Sequence, residues 1–544
     1  MSNSPSPFAP FRNRPFLIYW LAGLSANFGW QIQLVGASWL MIAMGGTPSQ
    51  VAMVQTTVAL PVMLMSLPGG ALADLVGQRT LVIWAQSFLM VVSILLAAAA
   101  WMEMLTPFLL LACTFLIGSG RALYYPGWQS MVLEFFPRSE AAAAVAVNSA
   151  NLNIARSVGP AIGGAIVAAS GAFLAFVVNA ICNLSVIFVA RGWPRPKRPH
   201  GLPPEPFGSA IMAGIRYMLL SPKLITITLR AFVFNIAAIA TIALLPLIAR
   251  DVLDGGPQTY GFLMGSYGVG GVIGALSADS LRRRMALERY LAGSHLVFAL
   301  ATAVLAVSPF LWLSVLAGIL AGIGWIYVQV TLNSAIQLSS PRWVVGRCVA
   351  MYQTFIFGGN ALGSYLCGMA ADARGVQAAL LVPAAIIAGA AALGLVMRIR
   401  ETDEAETDLR SEWVAPTPNV DMVATSGPIL TTITYRIREE DIPAFLKIMN
   451  EKRRHRIRDG AMRWTLSRDI LDPSLWFERF KVATWAEAQR LHSRRTVAGA
   501  MTMETARNLH QGPDRPEVHY ELVRHPGRSG IHQKNKPAGS HVQP

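Results

Sequence analysis

Twelve apolar stretches fill most of the first 400 positions of the 544-residue chain and restrict its fold more than any other feature. A run of about 20 apolar residues spans the hydrocarbon core of a bilayer as one helix. Ten Asp and Glu residues lie before position 401 and twenty from there onward, so the first part lacks a soluble domain's charged surface. We predict an all-α membrane unit with twelve spans, at approximately residues 16–44, 51–74, 79–101, 107–133, 141–169, 172–191, 224–249, 258–279, 288–307, 309–338, 345–371 and 376–397.

Basic residues occur mainly in every second connection between these spans. The alternate connections, such as 45–50 and 251–258, nearly lack them. Because cytoplasmic loops carry the excess of Lys and Arg, we predict a multi-pass protein of the bacterial inner membrane with both termini in the cytoplasm. The net charge of +15 then reflects membrane topology, and the expected macromolecular environment is the lipid bilayer, with no nucleic acid partner.

A charged turn is predicted over residues 70–79, Gly-Ala-Leu-Ala-Asp-Leu-Val-Gly-Gln-Arg, between two apolar runs. Gly70 and Gly77 allow bending, while Asp74 and Arg79 place opposite charges near helix ends. A related stretch recurs about 205 residues later around Asp279.

Two further stretches also recur at about 200 residues. Gly118-Ser-Gly-Arg121 corresponds to Gly322-Ile-Gly-Trp325, and Gly159-Pro-Ala-Ile-Gly-Gly corresponds to Gly359-Asn-Ala-Leu-Gly-Ser. These repeats predict two parallel six-helix halves, residues 1–191 and 224–400. The Pro-rich, basic loop 192–223 is predicted to be a flexible cytoplasmic joint between them.

The fifth span carries a small-residue motif of Gly159, Pro160, Gly163 and Gly164. Glycines four residues apart leave a smooth helix face against which another helix can pack closely. The proline removes one backbone hydrogen bond and permits bending.

Two arginines are predicted to lie near the middle of the bilayer, Arg121 in span 4 and Arg156 in span 5. A charge at that depth is costly and should face a cavity or a partner. The two arginines therefore either meet an anionic substrate in a central cavity or tie helices together through backbone carbonyls. The same alternatives apply to polar residues within apolar spans, namely Asn27, Gln31, Gln129 and Asn148.

The chain beyond residue 400 is predicted to hold a linker over 401–427, a cytoplasmic α+β domain over 428–525 and a disordered tail over 526–544. Strand patterns at 429–437, 461–467, 475–483 and 518–523, with helices between them, give the order βαββαβ of a ferredoxin-like fold. This domain resembles the dimeric α/β-barrel domains of small monooxygenases. That resemblance implies self-association into a homodimer, and an enzymatic domain is the alternative reading.

The small domain lacks a recognisable nucleophile–base set, and its sequence has no metal-ligand spacing. We therefore expect no metal and no cofactor, and a chain that is not an enzyme. Its Trp464, Trp476, Trp485 and His492 are interpreted mainly as core residues.

Together, the charged turn, the span 5 motif and the arginine in span 4 resemble the major facilitator superfamily. Leu75 and Gln78 stand where basic residues are usual in that turn. The stretches 152–160 and 341–352 resemble its branch of transmembrane secretion effectors, which includes the enterobactin exporter. The resemblance implies export of a small molecule by alternating access with proton antiport. It also implies that Asp74 and Arg79 act in the conformational switch and that the span 5 motif seals the interface between the halves. The resemblance leaves the chemical class of the substrate open: a siderophore-like, an anionic or a drug-like compound.

Overall fold

A computed structural model describes most of the chain, and it divides into two compact units. The membrane unit comprises Met1–His200 with Glu205–Asp403, and the C-terminal unit comprises Gly201–Pro204 with Glu404–Pro544. The described residues are 9–131, 135–136, 141–193, 207–399, 407–410, 416, 418–512 and 514–524.

Long helices form the membrane unit, as the apolar stretches predict. Their bounds are α1 (Arg14–Ala43), α2 (Pro48–Val76), α3 (Gln78–Trp101), α4 (Pro107–Met131), α5 (Ala141–Arg191), α6 (Phe207–Leu219), α7 (Pro222–Ala243), α8 (Pro257–Arg284), α9 (Leu287–Val307), α10 (Leu311–Leu338) and α11 (Val345–Ala390). Among the described residues, nine helices are long and apolar enough to cross a membrane; α1 and α6 are not among the nine.

Two of the nine helices each contain two spans. Gly171 in α5 and Gly375 in α11 have φ of 73° and 81° and are not helical, so each marks a kink between two helical segments. Such a conformation favours glycine, since it has no Cβ to clash. With these breaks and with the 30-residue α1, each of the twelve predicted runs corresponds to one helical segment of the described chain.

The charged turn is shorter than the sequence predicts. Helix α2 continues to Val76, and Gly77, with φ of 90°, is the non-helical residue before α3. In the second half, α8 runs to Arg284 and includes Asp279. Both helices extend through Ala and Leu, which favour helix, and α8 ends on three arginines, which are favourable at a helix C-terminus.

The loop predicted over 192–223 contains the 13-residue helix α6. Ala213, Tyr217 and Met218 on this helix are buried, because apolar residues recur there at helical spacing. This part of the connection is therefore an ordered amphipathic helix, contrary to the prediction of a flexible joint. Residues 194–206 lie outside the described part of the chain.

Apolar packing joins the two halves at one end of the bundle. We call this the far end. It contains the α1–α2 and α7–α8 connections and lies opposite the end of the bundle at which α1 begins. One buried cluster there contains residues of both halves, including Val51, Leu244 and Tyr260. Two other clusters each belong to a single half, around Trp128 in the first and Phe298 in the second.

The C-terminal unit has a four-stranded antiparallel sheet of β1 (Ile429–Arg436), β2 (Met462–Arg468), β3 (Leu475–Val482) and β4 (Glu517–Leu522). The strand order β2-β3-β1-β4 is that of the predicted ferredoxin-like fold. Its helices are α12 (Ile442–Asp459), α13 (Trp485–Ser493) and α14 (Val497–Asn508). The side chain of Thr484 caps α13 by accepting a hydrogen bond from the Glu487 amide.

Helix α14 was not anticipated from the sequence. One face of the sheet packs against the helices, with Ile433, Phe445, Trp476 and Leu491 in a common core. The disordered tail predicted over 526–544 lies outside the described residues.

Candidate functional site

Arg121 is fixed in the interior of the first half by a hydrogen-bonded chain. Its guanidinium donates to Oδ1 of Asn27 at 2.7 Å, and Nδ2 of Asn27 donates to Oδ1 of Asn151 at 2.9 Å. Asn151 in turn donates to the Trp20 carbonyl at 2.7 Å. The guanidinium carbon also lies 4.8 Å from the ring centre of Trp30, a cation–π distance. These contacts orient the charge while leaving further donors of Arg121 for another partner.

Arg156 lies on the part of α5 that faces the bundle interior. Neighbouring Gly159 and Gly163 pack against α1, and Gly164 packs against α8, so Arg156 projects between these two helices. The side chain is nonetheless exposed, and it interacts electrostatically with Arg121 and with the Tyr267 hydroxyl. The lipid-exposed side of the same helix carries Ile154, Val158 and Ile162. An exposed guanidinium on an inward face indicates a polar, accessible interior.

Aromatic residues of the second half form a cluster, which we call the aromatic wall; its Tyr267 interacts electrostatically with Arg156, whereas Phe234 and Phe298 are fully buried. The ring of Trp325 lies 5.7 Å from that of Phe234 and 6.2 Å from those of Tyr267 and Phe298. The Tyr267 hydroxyl is buried and has no hydrogen-bond partner among the described residues. The sequence contained a signal for this wall, since Trp325 occupies the repeat position that corresponds to Arg121. The arginines of the first half and the aromatic wall therefore differ in chemistry, one cationic and one aromatic.

The other predicted polar residues are distributed more widely. Gln31 is half-buried on α1, where its side chain packs against Gly159. Asn148 is half-buried on α5. Gln129 is exposed and hydrogen-bonds to Tyr125 on its own helix at 3.2 Å. The structure thus brings Asn27 to Arg121, whereas Gln129 bonds within its own helix; Asn151, which the prediction omitted, completes the network.

The span 5 glycines mediate close contact both within the first half and between the halves. A Cβ on Gly163 would lie 3.0 Å from Cα of Ile32 in α1, and a Cβ on Gly164 would lie 2.6 Å from the Pro257 carbonyl oxygen. On the α8 side, a Cβ on Gly261 would lie 2.8 Å from the Pro160 carbonyl oxygen. The sequence analysis identified one side of this helix pair and missed Gly261, Gly265 and Gly268 on the other.

Polar contacts reinforce the junction between α2 and α11. The amide of Ser49 donates to Oδ1 of Asp372 at 3.1 Å at the far end. Thr56 donates to the Ala361 carbonyl at 3.1 Å, and the hydroxyls of Ser66 and Thr354 lie 2.6 Å apart. These bonds link the halves along α2.

The charged turn binds a neighbouring helix end. Arg79 donates from Nε to the Ala190 carbonyl at 2.9 Å and from Nη2 to the Arg191 carbonyl at 2.5 Å, so it caps the C-terminus of α5. Asp279 forms an exposed ion pair with Arg283 on its own helix at 2.9 Å. Gly70 and Asp74 lie in α2, and the surroundings of both residues are outside the described part of the structure.

Two duplicated helical halves join at one end, and two arginines lie toward the interior of the bundle. This arrangement defines a membrane transporter of the major facilitator type. The profile of the transmembrane secretion effector family matches residues 5–526, and the chain belongs to that family. The match confirms the resemblance to the transmembrane secretion effectors that was drawn from the stretches 152–160 and 341–352.

Sequence relatives agree with this assignment. The multidrug efflux pump Tap of Mycolicibacterium fortuitum is 26% identical over 412 residues, covering 72% of this chain and 97% of that protein. The Tap pump of Mycobacterium tuberculosis (strain ATCC 25618 / H37Rv) is 27% identical over 390 residues, 68% of this chain and 90% of the pump.

Similarity to solved structures supports the fold. An inward-facing, unoccupied bacterial homolog of the human lysosomal transporter Spinster aligns with a TM-score of 0.59 and 14% identity, covering 72% of this chain and 97% of that one. The nucleoside transporter NupG aligns with a TM-score of 0.60 and 11% identity, covering 71% and 100%. At this identity the likeness shows the fold alone.

Proposed function

We propose that the protein exports a small anionic compound carrying an aromatic ring from the cytoplasm by alternating access. The observation that carries this proposal is the pair of interior arginines. Within the described residues, neither Arg121 nor Arg156 has a carboxylate at ion-pair distance, and Arg156 is exposed on an inward face. A desolvated guanidinium requires compensation, and its planar fork suits a carboxylate or other clustered oxygens.

The aromatic wall supports the aromatic part of the substrate. Tyr267 and Trp325 offer ring faces and edges, which favour stacked or edge-to-face contact with another ring. A compound with a charged group toward Arg121 and a ring toward Trp325 would use both the arginines and the aromatic wall. The names of the related efflux pumps support the direction of transport, from inside to outside.

The basic connections favour an orientation with both termini in the cytoplasm. With that orientation, the joined far end faces the outside, and the described conformation closes the substrate path there. Alternating access then requires the α5–α8 and α2–α11 contacts to separate. Proton antiport, which we propose from the family resemblance, supplies the driving force.

Transport in inverted membrane vesicles tests this proposal. We expect accumulation of 2-naphthoate that depends on an imposed proton gradient and stops when a protonophore dissipates it. A lipophilic cation of similar size should accumulate poorly. Robust transport of the cation with no transport of the anion would overturn the anionic assignment, and transport unaffected by the protonophore would overturn proton coupling.

We further propose that the exposed sheet face of the C-terminal unit pairs with a second copy. On this face, Lys481 of β3 and Glu521 of β4 both pair with Leu430 of β1, one on each of the two strands that flank β1. A two-fold axis parallel to β1 would place each Lys481 over the partner copy's Glu521. An isologous interface of this kind is self-complementary in charge.

A charge swap tests the pairing. Lys481→Glu alone should place like charges together and lower the dimer fraction of detergent-solubilised protein in sedimentation. Adding Glu521→Lys should restore the dimer, because the pair is then reversed. Equal sedimentation of the parent, the single variant and the double variant would contradict this interface.

A further inference from the structure

Among the residues that the structure describes, the interior of the C-terminal unit contains more basic than acidic side chains. The basic residues that are buried or half-buried between the sheet and its helices are Lys452, Arg456, Arg458, Arg490, Arg494 and Arg495. The acidic residues there are Asp459, Glu478 and Glu487. Removing charges from water costs several kcal/mol for each ion unless partners compensate, so the excess calls for an explanation.

Ion pairs already engage all three carboxylates. Lys452 lies 2.7 Å from Glu478, which is fully buried and also accepts a hydrogen bond from Trp464 at 3.0 Å. Asp459 pairs with Arg458 at 3.4 Å. Glu487 pairs with Arg490 at 2.8 Å and Arg494 at 3.3 Å.

Arg456 and Arg495 keep donor atoms that these carboxylates do not use. Arg456 is 4% exposed, and its Nε lies 3.5 Å from Glu478 without forming a hydrogen bond. Nε of Arg495 is also buried without a hydrogen-bond partner in the described part of the unit. Nη2 of Arg495 lies 2.9 Å from Nδ1 of His492, whose ring centre is 6.5 Å from that of Tyr520. Phe480, which lies under Arg456, and Tyr520, which lies beside His492, flank Thr431 of β1 in the sheet, so the two guanidinium groups lie over the same face.

The local field reflects this excess of positive charge. Burial, followed by the charge of Arg456, lowers the pKa of Arg495 to about 10. Burial, followed by the charges of Arg456 and Arg495, lowers the pKa of His492 to about 2, so the imidazole is neutral. Burial also lowers the pKa of Lys452 to about 8, although Glu478 opposes this effect. Burial is the largest cause of each of these pKa shifts, and the positive charge of Arg456 acts in the same direction on all three groups.

We infer that the C-terminal unit binds a small organic carboxylate at Arg456 and Arg495, separately from the transport path. The planar fork of each guanidinium matches a carboxylate. Arg495 is half-buried and gives access from the surface, whereas Arg456 stacks over Phe480 at 4.6 Å deeper inside. The unit then acts as a ligand-binding module attached to the transporter.

Isothermal titration of the full-length protein in detergent with benzoate tests this inference. The Arg121→Ala variant serves as the background, so that binding inside the membrane unit is weakened and does not mask the second site. We expect benzoate binding to persist in that background, and to weaken at least tenfold when Arg495→Gln is added. Arg438→Gln is the matched control, since Arg438 forms exposed ion pairs with Glu440 and Asp441 elsewhere on the unit.

Arg495→Lys keeps the charge but loses the fork, so it should bind benzoate more weakly than the background and better than Arg495→Gln. Hydrogen exchange of residues 485–508 should slow with benzoate in the background and not in Arg495→Gln. Absence of binding in the background, equal binding in Arg495→Gln, or binding of phosphate in place of benzoate would overturn the inference. These outcomes do not measure transport, so failure of this inference would not contradict the proposed exporter function.

Discussion

Replacing Arg121 by alanine should reduce export of an aromatic carboxylate about 30- to 100-fold at unchanged protein abundance. A hydrogen bond to a charged group contributes about 1.5–3 kcal/mol, and each 1.4 kcal/mol corresponds to a factor of ten. The loss extends beyond one bond, because Arg121 also anchors Asn27 and stacks on Trp30. Initial rates of 2-naphthoate uptake into inverted vesicles measure the effect.

Matched variants separate a substrate contact from a structural role. Arg121→Lys retains the charge and should transport at an intermediate rate, since a point charge replaces the bidentate fork. Asn151→Ala removes the far partner of the polar chain and should slow transport less than Arg121→Ala does. Arg284→Ala, an exposed arginine at the end of α8, should transport like the parent. Equal transport rates for Arg121→Ala and the parent would show that Arg121 only links helices and does not contact the substrate.

Replacing Gly268 by valine should nearly abolish transport by preventing the halves from closing at the far end. A Cβ at this position would lie 2.3 Å from the carbonyl oxygen of Arg156 and 2.5 Å from Cα of Ser157. Both are backbone atoms, so the steric clash is relieved only if α5 and α8 move apart. Overpacking typically costs about 1–3 kcal/mol, which lowers the population of the closed state roughly 5- to 150-fold.

A native cysteine reports this closure. Cys367 is 5% exposed within the far-end cluster that joins the halves. In Gly268→Val, an impermeant thiol reagent should label Cys367 faster, as detected by peptide mass spectrometry. Gly293→Val is the matched control, because no atom lies within 4 Å of its Cβ position. Parent-like labelling and transport in Gly268→Val would show that this contact does not limit closure.

The sequence predicted the spans and the strand order because these depend on local pattern. A run of apolar residues long enough to cross a bilayer can be recognised in the sequence without knowing which helices pack against it. Strand patterns at 429–437 and 475–483 were likewise recognisable from the local sequence. Helices α6 and α14 escaped prediction because each lies beside a polar or Pro-rich segment that obscured its own periodicity.

The membrane architecture, the duplication and the presence of arginines within apolar spans were therefore determined by the sequence itself. Only the tertiary structure decided which groups meet. Asn151 reaches Asn27 across 124 positions, and Gly268 meets Ser157 across the boundary between the halves. Lys452 and Glu478 pair in the interior of the C-terminal unit. Such contacts depend on how helices and strands are placed in three dimensions, and a periodic pattern fixes the face that a residue occupies without fixing what lies opposite it.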